Sequence, residues 1–422
     1  MSQKSLMTKL LADELISSMG CTEPSAIAYS VAYAKEHLTN NEAIKEIEFY
    51  GSSNILKNAL CVHIPNTNLC GIKIIILLAL TKCKSEDKLN ILSNIDEEDI
   101  KKTQELEKQI KLKVNLKEND NSLYIETIIK TDNHKVKVKI IQKHNFIQLC
   151  EVDGQTIEEN EIIETSPKLL VNLNFNDIYD YVIKREYDKR IIEQTKKYNY
   201  EISQYGLNND VGLNVGSTLA DSSIYNSEYS KIISTTVAGI DSRMSGVSKK
   251  VIINNGSGNQ GITATVPIAE YAKINNIPED IEYDALTLSH LVALYIRKNQ
   301  GKLSSSCGAV CASAGTTAGI AYMMGCNKEQ IEGAINNLLC STFGVLCDGA
   351  KATCSLKVAT AISAAINSAV LAKNNVFLNE NLGIVSSSLD TTVKSIGTVE
   401  KQLTKKLDKV IMDEAMNLRG CE

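Results

Sequence analysis

The sequence predicts an α+β protein with a mainly helical domain, which holds the candidate site, and a small inserted α+β domain. From Ser166 almost to the C-terminus, apolar residues recur with helical spacing, and several segments are apolar on all sides, as buried helices are. Residues 84–165 differ sharply, because they are rich in Lys, Glu, Asp and Asn and alternate with the period of two typical of strands. We therefore assign residues 1–83 and 166–422 to the helical domain and residues 84–165 to the insert.

The first helix is predicted over residues 5–19, and Gly20 suits its C-terminal end. A second helix follows, with Thr22 as the N-cap residue and Pro24 in its first turn. Cys21 therefore lies in the turn that faces the start of a helix, where the helix dipole and free N–H groups can lower the pKa of a thiol. The alternative interpretation is a half-buried structural cysteine at a tight turn.

Residues 45–50 alternate like a short strand, residues 71–81 predict an apolar helix or a buried strand, and residues 96–109 predict an exposed helix. Inside the insert, alternation predicts four strands, at residues 110–115, 123–130, 135–142 and 146–151. The two histidines of the insert, His134 and His144, are expected to be solvated rather than to bind a metal.

The second half of the chain is predicted to be helical nearly to its end. A charged helical stretch covers residues 176–200, and further helices are predicted at residues 284–298, 307–324, 328–342, 350–373 and 395–416. Residues 207–246 carry many Gly, Ser and Asn residues, and Arg243 near their end is predicted to lie in a small-residue loop.

The 422 residues carry a formal net charge of −5 and no basic block, which argues against nucleic acid or an anionic membrane as the main partner. The N-terminal helix contains Asp13 and Glu14 and so lacks the uninterrupted apolar core of a signal peptide. The apolar run at residues 71–80 is too short to cross a bilayer, and the uncharged residues 307–326 are mostly Gly, Ala, Ser and Thr. We expect a cytoplasmic protein with a small-molecule partner, and its apolar helices make a homodimer plausible.

Three of the twelve cysteines, Cys307, Cys347 and Cys354, are candidate ligands of a metal centre. Without an export signal a disulfide framework is not expected, so buried thiols, metal ligands and reactive thiols are the remaining roles. Cys347 and Cys354 are spaced to share one face of a helix, and Cys307 would close a triangle from another segment. Small residues around Cys307 and Cys354 leave room for an inorganic cluster, and a helix start after Cys347 would stabilise thiolates.

Their spacing alone does not match ferredoxin runs, zinc knuckles or C-x-x-C redox motifs. Cys311, one helical turn from Cys307, is a rival ligand, whereas Cys326 and Cys340 are expected to be core cysteines. A metal site is therefore one of several roles open to these cysteines.

A glycine-rich stretch, VIINNGSGNQGITATVPIAEYA, offers a second candidate site. Gly256, Gly258 and Gly261 match the dinucleotide-binding pattern G-x-G-x-x-G, but no second strand ending in an acidic residue follows, so a dinucleotide site is not favoured. The backbone N–H groups of this loop, with Asn259 and Gln260, suit the carboxylate of a small substrate. The alternative is a loop that needs glycine for close packing.

Arg243, within the segment AGIDSRMSG, is a candidate for a bidentate clamp on a carboxylate. The alternative is a structural ion pair with Asp241 or another acidic residue.

Several long stretches resemble one known family, the L-cysteine desulfidases, which is related to the α chain of bacterial iron–sulfur L-serine dehydratases. These stretches are CTEPSAIAYSVA, IPNT, AGIDSRMSG, GSGNQGITATVPI, SSSCGAVCASAGTTAGIAYMMGC and CDGAKATCSLKVATAISAA. The resemblance covers most of the chain and is weakest in residues 84–165 and at the C-terminus. One departure lies in IPNT, where relatives usually have Gly in place of Asn66.

The resemblance implies an oxygen-sensitive [4Fe–4S] enzyme that works without pyridoxal phosphate and converts L-cysteine into pyruvate, ammonia and hydrogen sulfide. The cluster ligands would be Cys307, Cys347 and Cys354, and the N-terminal active-site cysteine would be Cys21. Three thiolates leave one iron without a protein ligand, and that iron can act as a Lewis acid on the β-thiol of the substrate.

Residue chemistry suggests further roles. Cys21 is the candidate base for the Cα proton, with Glu23 as the alternative. The penultimate Cys421 is a candidate resting-state fourth ligand. The carboxylate and amino group of the substrate would be held by three residues: Arg243, Asn259 and Gln260. Two other functions stay open, namely an L-serine dehydratase with the same cluster chemistry and a non-catalytic iron–sulfur or zinc sensor that binds amino acids.

Overall fold

The computed structural model describes residues 3–38, 42–65, 67, 69–117, 123–161, 173–301 and 304–419. Within these residues the protein has an α+β fold with a mainly helical body and one six-stranded sheet, which confirms the predicted fold class. Two hydrophobic cores stabilise it, one inside the helical body and one between the sheet and the helices that cover it.

The first part of the chain contains the sheet and the helices packed on it. Its elements are α1 (Gln3–Glu14), β1 (Ser17–Met19), α2 (Thr22–Glu36), β2 (Glu46–Gly51), α3 (Ser53–Ala59), α4 (Ile72–Ala79), a 3-10 helix (Ser85–Asn90), α5 (Glu97–Gln109), β3 (Lys111–Leu116), β4 (Tyr124–Lys130), β5 (Lys135–Ile141), β6 (Ile147–Val152) and β7 (Gln155–Glu159). The sheet order is β3-β2-β4-β5-β6-β7, with β2 parallel to β3 and every other pair of neighbours antiparallel.

The four strands predicted in the insert correspond to β3 through β6; α2 packs on β4 and β5, and α4 contacts β3. Strand β7 has the sequence QTIEE, which lacks apolar alternation, and this explains why the sequence did not reveal it. Strand β2 precedes residue 84 but enters the sheet between β3 and β4. The boundaries at residues 84 and 165 stay predictions, and residues 162–172 lie outside the described residues.

The second part of the chain forms the helical body. Its elements are α6 (Phe175–Ile183), α7 (Lys189–Leu207), α8 (Val215–Asp221), α9 (Glu228–Met244), β8 (Lys250–Ile252), α10 (Gly258–Ile274), α11 (Glu279–Gln300), α12 (Gly308–Met323), α13 (Lys328–Thr342), α14 (Cys354–Lys373) and α15 (Leu389–Arg419). Helix α12 is buried nearly all round and packs against α10, α11, α13 and α14. The five helices predicted from residue 284 onward correspond to α11 through α15, and the predicted stretch 176–200 is divided between α6 and α7.

The small residues between 207 and 246 form helices α8 and α9, so the predicted loop around Arg243 is wrong. An added Cβ at Gly216 would lie 2.3 Å from the backbone nitrogen of Ala238, and one at Gly206 would lie 2.1 Å from the carbonyl oxygen of Ala238. The small side chains therefore permit close helix packing rather than loops. Arg243 lies in the last turn of α9 as a result.

Helix α1 ends at Glu14, five residues before the predicted end, because residues 17–19 form strand β1. Strand β1 pairs antiparallel with β8, and Ser17 lies opposite Ile252. Local spacing did not predict this strand, because its hydrogen-bond partners lie far along the chain. The pairing places Cys21 beside the loop that follows β8.

One helix, α14, is long and apolar enough to cross a membrane. About half of its most apolar stretch (44%) is buried inside the protein, where it packs against α9, α12 and α13. Ser355 on this helix donates a hydrogen bond to Asp241 over 2.5 Å. These contacts place one side of α14 in the interior of the protein.

Raising the pH above about 9 is expected to destabilise the fold, in part through the buried thiol of Cys83. Burial raises the pKa of this thiol from 9.0 to about 11, against a smaller opposing effect of Lys35. Between these pKa values the unfolded chain loses the proton while the folded chain keeps it, so the free energy of unfolding falls as the pH rises. The urea midpoint of the wild type should fall from pH 9 to pH 11 more steeply than that of Cys83→Ala; parallel curves would contradict the prediction.

Candidate functional site

Distant parts of the chain meet around one cavity of about 110 Å³. They are the junction of β1 and α2, the end of α9, the loop from β8 to α10, and the loops that lead into α12 and α14. Eight of the residues that the sequence suggested for ligation, proton transfer or carboxylate binding line this cavity, namely Cys21, Glu23, Arg243, Asn259, Gln260, Cys307, Cys347 and Cys354. The cavity thus combines thiols with a guanidinium group, amides and a carboxylate.

The three candidate ligands lie where loops meet helices. Cys307 is the N-cap residue of α12, Cys354 is the first residue of α14, and Cys347 lies in the loop before α14. The expectation that Cys347 and Cys354 share a helix face is therefore wrong. Between them lies Gly349, whose φ of +99° is not helical, so the two cysteines do not belong to one continuous helix. Gly349 also packs closely, since an added Cβ would lie 2.4 Å from the carbonyl oxygen of Lys57.

The loops that carry Cys307 and Cys347 are bound to each other by a small antiparallel bridge. The N–H of Cys307 donates to the carbonyl of Val345 over 2.9 Å, and the N–H of Cys347 donates to the carbonyl of Ser305 over 2.7 Å. The backbone thus holds these two residues side by side, independently of any bound group.

The thiols of the three cysteines are close enough to influence one another. Burial raises the pKa of Cys307 to about 12, and the neighbouring Cys347 adds to the rise, while the N–H of Ala309 opposes it. Burial also raises the pKa of Cys354; the N–H of Lys351 opposes this rise and Cys347 adds to it. A bound metal would displace these protons, because thiolates rather than thiols are the ligands.

The three candidate ligands are soft sulfur donors, the type that iron–sulfur clusters take. In the described parts of the chain, no group of three or more His, Cys, Asp or Glu side chains converges tightly enough to hold one metal ion. A cluster needs less convergence, because each thiolate binds a different iron atom. Three soft thiol donors beside Gly308, Ala309 and other small residues meet that need.

The other cysteines have separate environments. The thiol of Cys311 donates to the Oε1 atom of Gln300 over 2.9 Å, and Cys311 is not among the described residues that line the cavity. Cys326 is buried as predicted, but Cys340 is exposed, so its prediction as a core cysteine is wrong. Two further sequence predictions, on Asn66 and Cys421, lie outside the described residues.

The guanidinium group of Arg243 is held in a fixed orientation at the cavity wall. Its Nη1 donates to Oδ1 of Asn259 over 3.0 Å, and its Nη2 donates to the carbonyl of Gly20 over 3.1 Å. Its Nε is buried and has no hydrogen-bond partner among the described residues. Asp241 does not pair with it, because that carboxylate accepts from the N–H of Gly216 and the hydroxyl of Ser355 instead.

Two amide side chains at the cavity also keep polar atoms available. The Oε1 atom of Gln260 and both terminal atoms of Asn255 are buried without a hydrogen-bond partner in the described structure. Buried polar groups are normally paired, so unpaired ones that line a cavity indicate a polar ligand. Together with Nε of Arg243 they form a corner suited to the carboxylate and amino group of a small molecule.

Replacing Gly258 with alanine is expected to weaken binding of a carboxylate substrate without unfolding the protein. The added Cβ would lie 2.1 Å from Nε of Arg243, so it would displace the guanidinium group. We expect KM to rise about tenfold, the effect of losing one charge-assisted hydrogen bond. The matched control is Gly344→Ala, where no atom lies within 4 Å of the added Cβ. Equal KM values in the two variants would contradict the prediction.

Cys21 is the N-cap residue of α2, and its side chain caps no backbone N–H among the described residues. Burial raises the pKa of its thiol to about 11, although Arg243 opposes the rise. The expectation of a lowered pKa is therefore wrong, because desolvation of the Cys21 thiol outweighs the effect of the helix start. Glu23, the second residue of the helix, accepts hydrogen bonds from Thr22 (3.0 Å) and Asn58 (2.9 Å).

The sequence did not point to several other residues that line the cavity: Asn58, His144, Asn255 and Arg297. His144 is only 8% exposed, so the expectation that it is solvated is wrong. The turn between β5 and β6 carries it to the neighbourhood of Gly256, a contact that depends on how the sheet docks. For Asn255 the signal was present in the doublet before Gly256, since Asn tolerates the left-handed φ of +49° that it adopts here.

These features define a mainly helical protein in which three thiols and several unpaired polar side chains line one cavity. A family model described as the serine dehydratase alpha chain matches residues 86–413. The chain belongs to the serine dehydratase alpha chain family, and this confirms the predicted relation to iron–sulfur serine dehydratases.

Curated relatives match over nearly the whole chain. A UPF0597 protein of Clostridium perfringens (strain ATCC 13124) is 38% identical over 418 residues, which cover 97% of each chain. A UPF0597 protein of Clostridioides difficile (strain 630) is 34% identical over 419 residues, 96% of this chain and 98% of its own. A UPF0597 protein of Bacteroides thetaiotaomicron is 32% identical over 428 residues, 100% of this chain and 99% of its own.

Proposed function

We propose that the protein is an L-cysteine desulfidase, a cytoplasmic lyase that converts L-cysteine into pyruvate, ammonia and hydrogen sulfide without pyridoxal phosphate. The main support is that Cys307, Cys347 and Cys354 line the same cavity as Arg243 and Gln260. The side chains of Arg243 and Gln260 each have a buried polar atom without a hydrogen-bond partner among the described residues. Membership of the serine dehydratase alpha chain family supports β-elimination as the reaction type.

Cys307, Cys347 and Cys354 would hold a [4Fe–4S] cluster. When bound, the cluster supplies an iron with an open coordination position, a Lewis acid that favours departure of the substrate sulfur as a thiolate. The backbone N–H groups of Ala309 and Lys351, which already interact with two of the thiols, would stabilise the same sulfur atoms as thiolates.

The substrate carboxylate binds at the corner made by Arg243, Asn259 and Gln260. Two of the five guanidinium N–H groups donate to protein oxygens, and Nε, which is buried without a partner among the described residues, is one of the donors available to the carboxylate. The unpaired Oε1 of Gln260 and the amide of Asn255 are acceptors suited to the substrate ammonium group. This placement would direct the side-chain sulfur of L-cysteine toward the three-thiol wall of the cavity.

A base at the start of α2 removes the Cα proton, and the bond from Cβ to sulfur then breaks. Cys21 is the candidate base, and Glu23 on the same helix turn is the alternative. The product aminoacrylate hydrolyses through its imine to pyruvate and ammonia, and the sulfur leaves as hydrogen sulfide.

The second candidate function is L-serine dehydratase, and the family match is the observation that favours it. Serine loses hydroxide, which is a poorer leaving group and needs stronger Lewis-acid assistance. A non-catalytic sensor would bind an amino acid at the same corner without turnover.

Turnover by anaerobically purified, cluster-loaded protein separates these functions. L-Cysteine should yield sulfide and pyruvate in equal amounts, and the protein should show a broad brown absorption that air bleaches. Absence of sulfide from fully loaded protein would overturn the desulfidase. A higher kcat/KM for L-serine would select the dehydratase, and a colourless protein that binds zinc would select the sensor.

A further inference from the structure

The last helix of the chain, α15 (Leu389–Arg419), contributes two buried carboxylates that have no role in the chemistry above. Glu400 is 4% exposed and Asp408 is fully buried. Neither is among the described residues that line the cavity. A buried carboxylate is costly unless hydrogen bonds and charges satisfy it, so the partners of these two groups indicate what they do.

Glu400 binds the loop that leads into Cys307. Its carboxylate accepts hydrogen bonds from the hydroxyl of Ser305 (3.1 Å), from the backbone N–H of Ser306 (3.4 Å) and from the hydroxyl of Ser306. On the same loop, Arg297 of α11 donates to the carbonyl of Ser306 over 3.3 Å. The carboxylate of Glu400 on α15 and the guanidinium group of Arg297 on α11 therefore both bind the residues just before Cys307.

Asp408 reaches the loop of Cys347 through one intermediate residue. Its Oδ1 accepts from Nζ of Lys57 over 2.6 Å, and its Oδ2 accepts from Asn54 over 2.5 Å. Nζ of Lys57 also donates to the carbonyl oxygen of Cys347 over 3.0 Å. Both side chains of the ion pair are 1% exposed, so the pair lies in a low dielectric where losing one member is expensive.

The two contacts act on one unit, because the Cys307 and Cys347 loops are bound to each other through their backbones. Apolar packing holds the first turns of α15. Val393 and Ile396 are fully buried there, and Gly397 packs so closely that an added Cβ would lie 2.5 Å from the carbonyl oxygen of Asn299. Glu400 and Asp408, further along the helix, add the polar contacts that join α15 to the two ligand loops.

We propose that α15 is a clasp that positions two of the three candidate cluster ligands. Glu400 sets the position of Cys307, and Asp408, through Lys57, sets the position of Cys347. The meaning of the clasp for cluster binding rests on the proposed function, but its effect on the two thiols exists in the protein without a cluster and is measured there.

The test is site-resolved alkylation of the full-length, cluster-free protein by iodoacetamide at one pH, with the rate at each cysteine followed by mass spectrometry. Glu400→Gln is expected to raise the rate at Cys307 about tenfold, because it removes the charge of the group that binds Ser305 and Ser306. Asp408→Asn is expected to raise the rate at Cys347 about tenfold, because it removes the anion that holds Lys57 against the carbonyl of Cys347. Cys354, held at the start of α14, should change less than about twofold. Unchanged rates at Cys307 and Cys347, or an equal rise at Cys354, would overturn the proposal.

Two further variants separate positioning from stability. Val393→Ala removes only packing from α15, so it should lower the thermal midpoint while leaving the alkylation pattern unchanged. The double variant Lys57→Met/Asp408→Leu replaces the buried ion pair with apolar side chains and should fold, yet the carbonyl of Cys347 loses its donor. Its Cys347 rate should therefore stay raised; a wild-type rate would overturn the role of Asp408.

Cluster content provides a second readout that does not depend on turnover. After anaerobic reconstitution, Glu400→Gln and Asp408→Asn should retain less iron per chain than Val393→Ala, and the loss should be faster in air. If the wild type binds no iron, the proposed function fails, while the alkylation pattern still decides whether the clasp exists. If the wild type binds iron and both variants hold it equally well, the clasp fails and the proposed function stands.

Discussion

Replacing Cys354 with alanine is expected to abolish cluster binding and sulfide release while leaving the fold intact. Cys354 is one of the three candidate ligands among the four cysteines that line the cavity in the described part of the chain, so a cluster would be left with two of these ligands. The fold should tolerate the change, because the thiol is only partly buried and its hydrogen bond to the carbonyl of Gly349 is long, at 3.8 Å. We expect no brown absorption, iron near background, and a loss of turnover of at least about 10³-fold.

The matched control is Cys311→Ala, which removes a thiol one helical turn from Cys307. That thiol donates to Gln300 away from the cavity, so this variant should keep iron, colour and turnover at a modest cost in stability. Iron content, the visible spectrum and pyruvate release measure all three properties. The ligand assignment is wrong if Cys311→Ala loses the iron and Cys354→Ala keeps it.

Replacing Cys21 with alanine is expected to have the opposite profile, with the cluster retained and turnover lost. Cys21 lies at the start of α2, on a separate segment from the three candidate ligands, so iron binding should not depend on it. A general base contributes roughly 10²- to 10⁴-fold, and we expect a fall in kcat within that range. The comparison variant is Glu23→Gln, which leaves Cys21 in place.

The pH dependence identifies which of the two residues is the base. Burial raises the pKa of Cys21 to about 11, so the basic thiolate form grows as the pH rises toward that value. If Cys21 acts as the base, kcat/KM should rise steadily with pH from 7 to 10, and Glu23→Gln should show the same rise. A flat profile over that range, with most of the activity retained by Cys21→Ala, would assign the base to another residue.

The predicted elements succeeded where the physical cause was local. Alternation predicted β3 through β6, because apolar residues tend to recur at every second position of these strands, and apolar periodicity predicted α11 through α15. Local reasoning failed at β1, whose partner β8 is far along the chain, and at α9, where small residues serve close packing against Gly206 and Gly216. Local patterns also gave no sign that His144 lines the cavity, because His144 lies in the turn between β5 and β6 and most of the cavity is built by the helical body.

The sequence by itself determined the chemical inventory of this protein: three cysteines in small-residue segments, Cys21 at a helix start, Arg243, and a glycine-rich loop with two amides. Residue type and short-range pattern carry that information, because they decide which donors exist and which segments turn or coil. Only the tertiary structure decided that these groups line one cavity and that burial raises the pKa of Cys21 rather than lowering it. It also decided that the last helix contacts the ligand loops, directly through Glu400 and by way of Lys57 through Asp408. Burial, desolvation and long-range hydrogen bonds arise only when distant segments pack together, so no local pattern in the chain contains them.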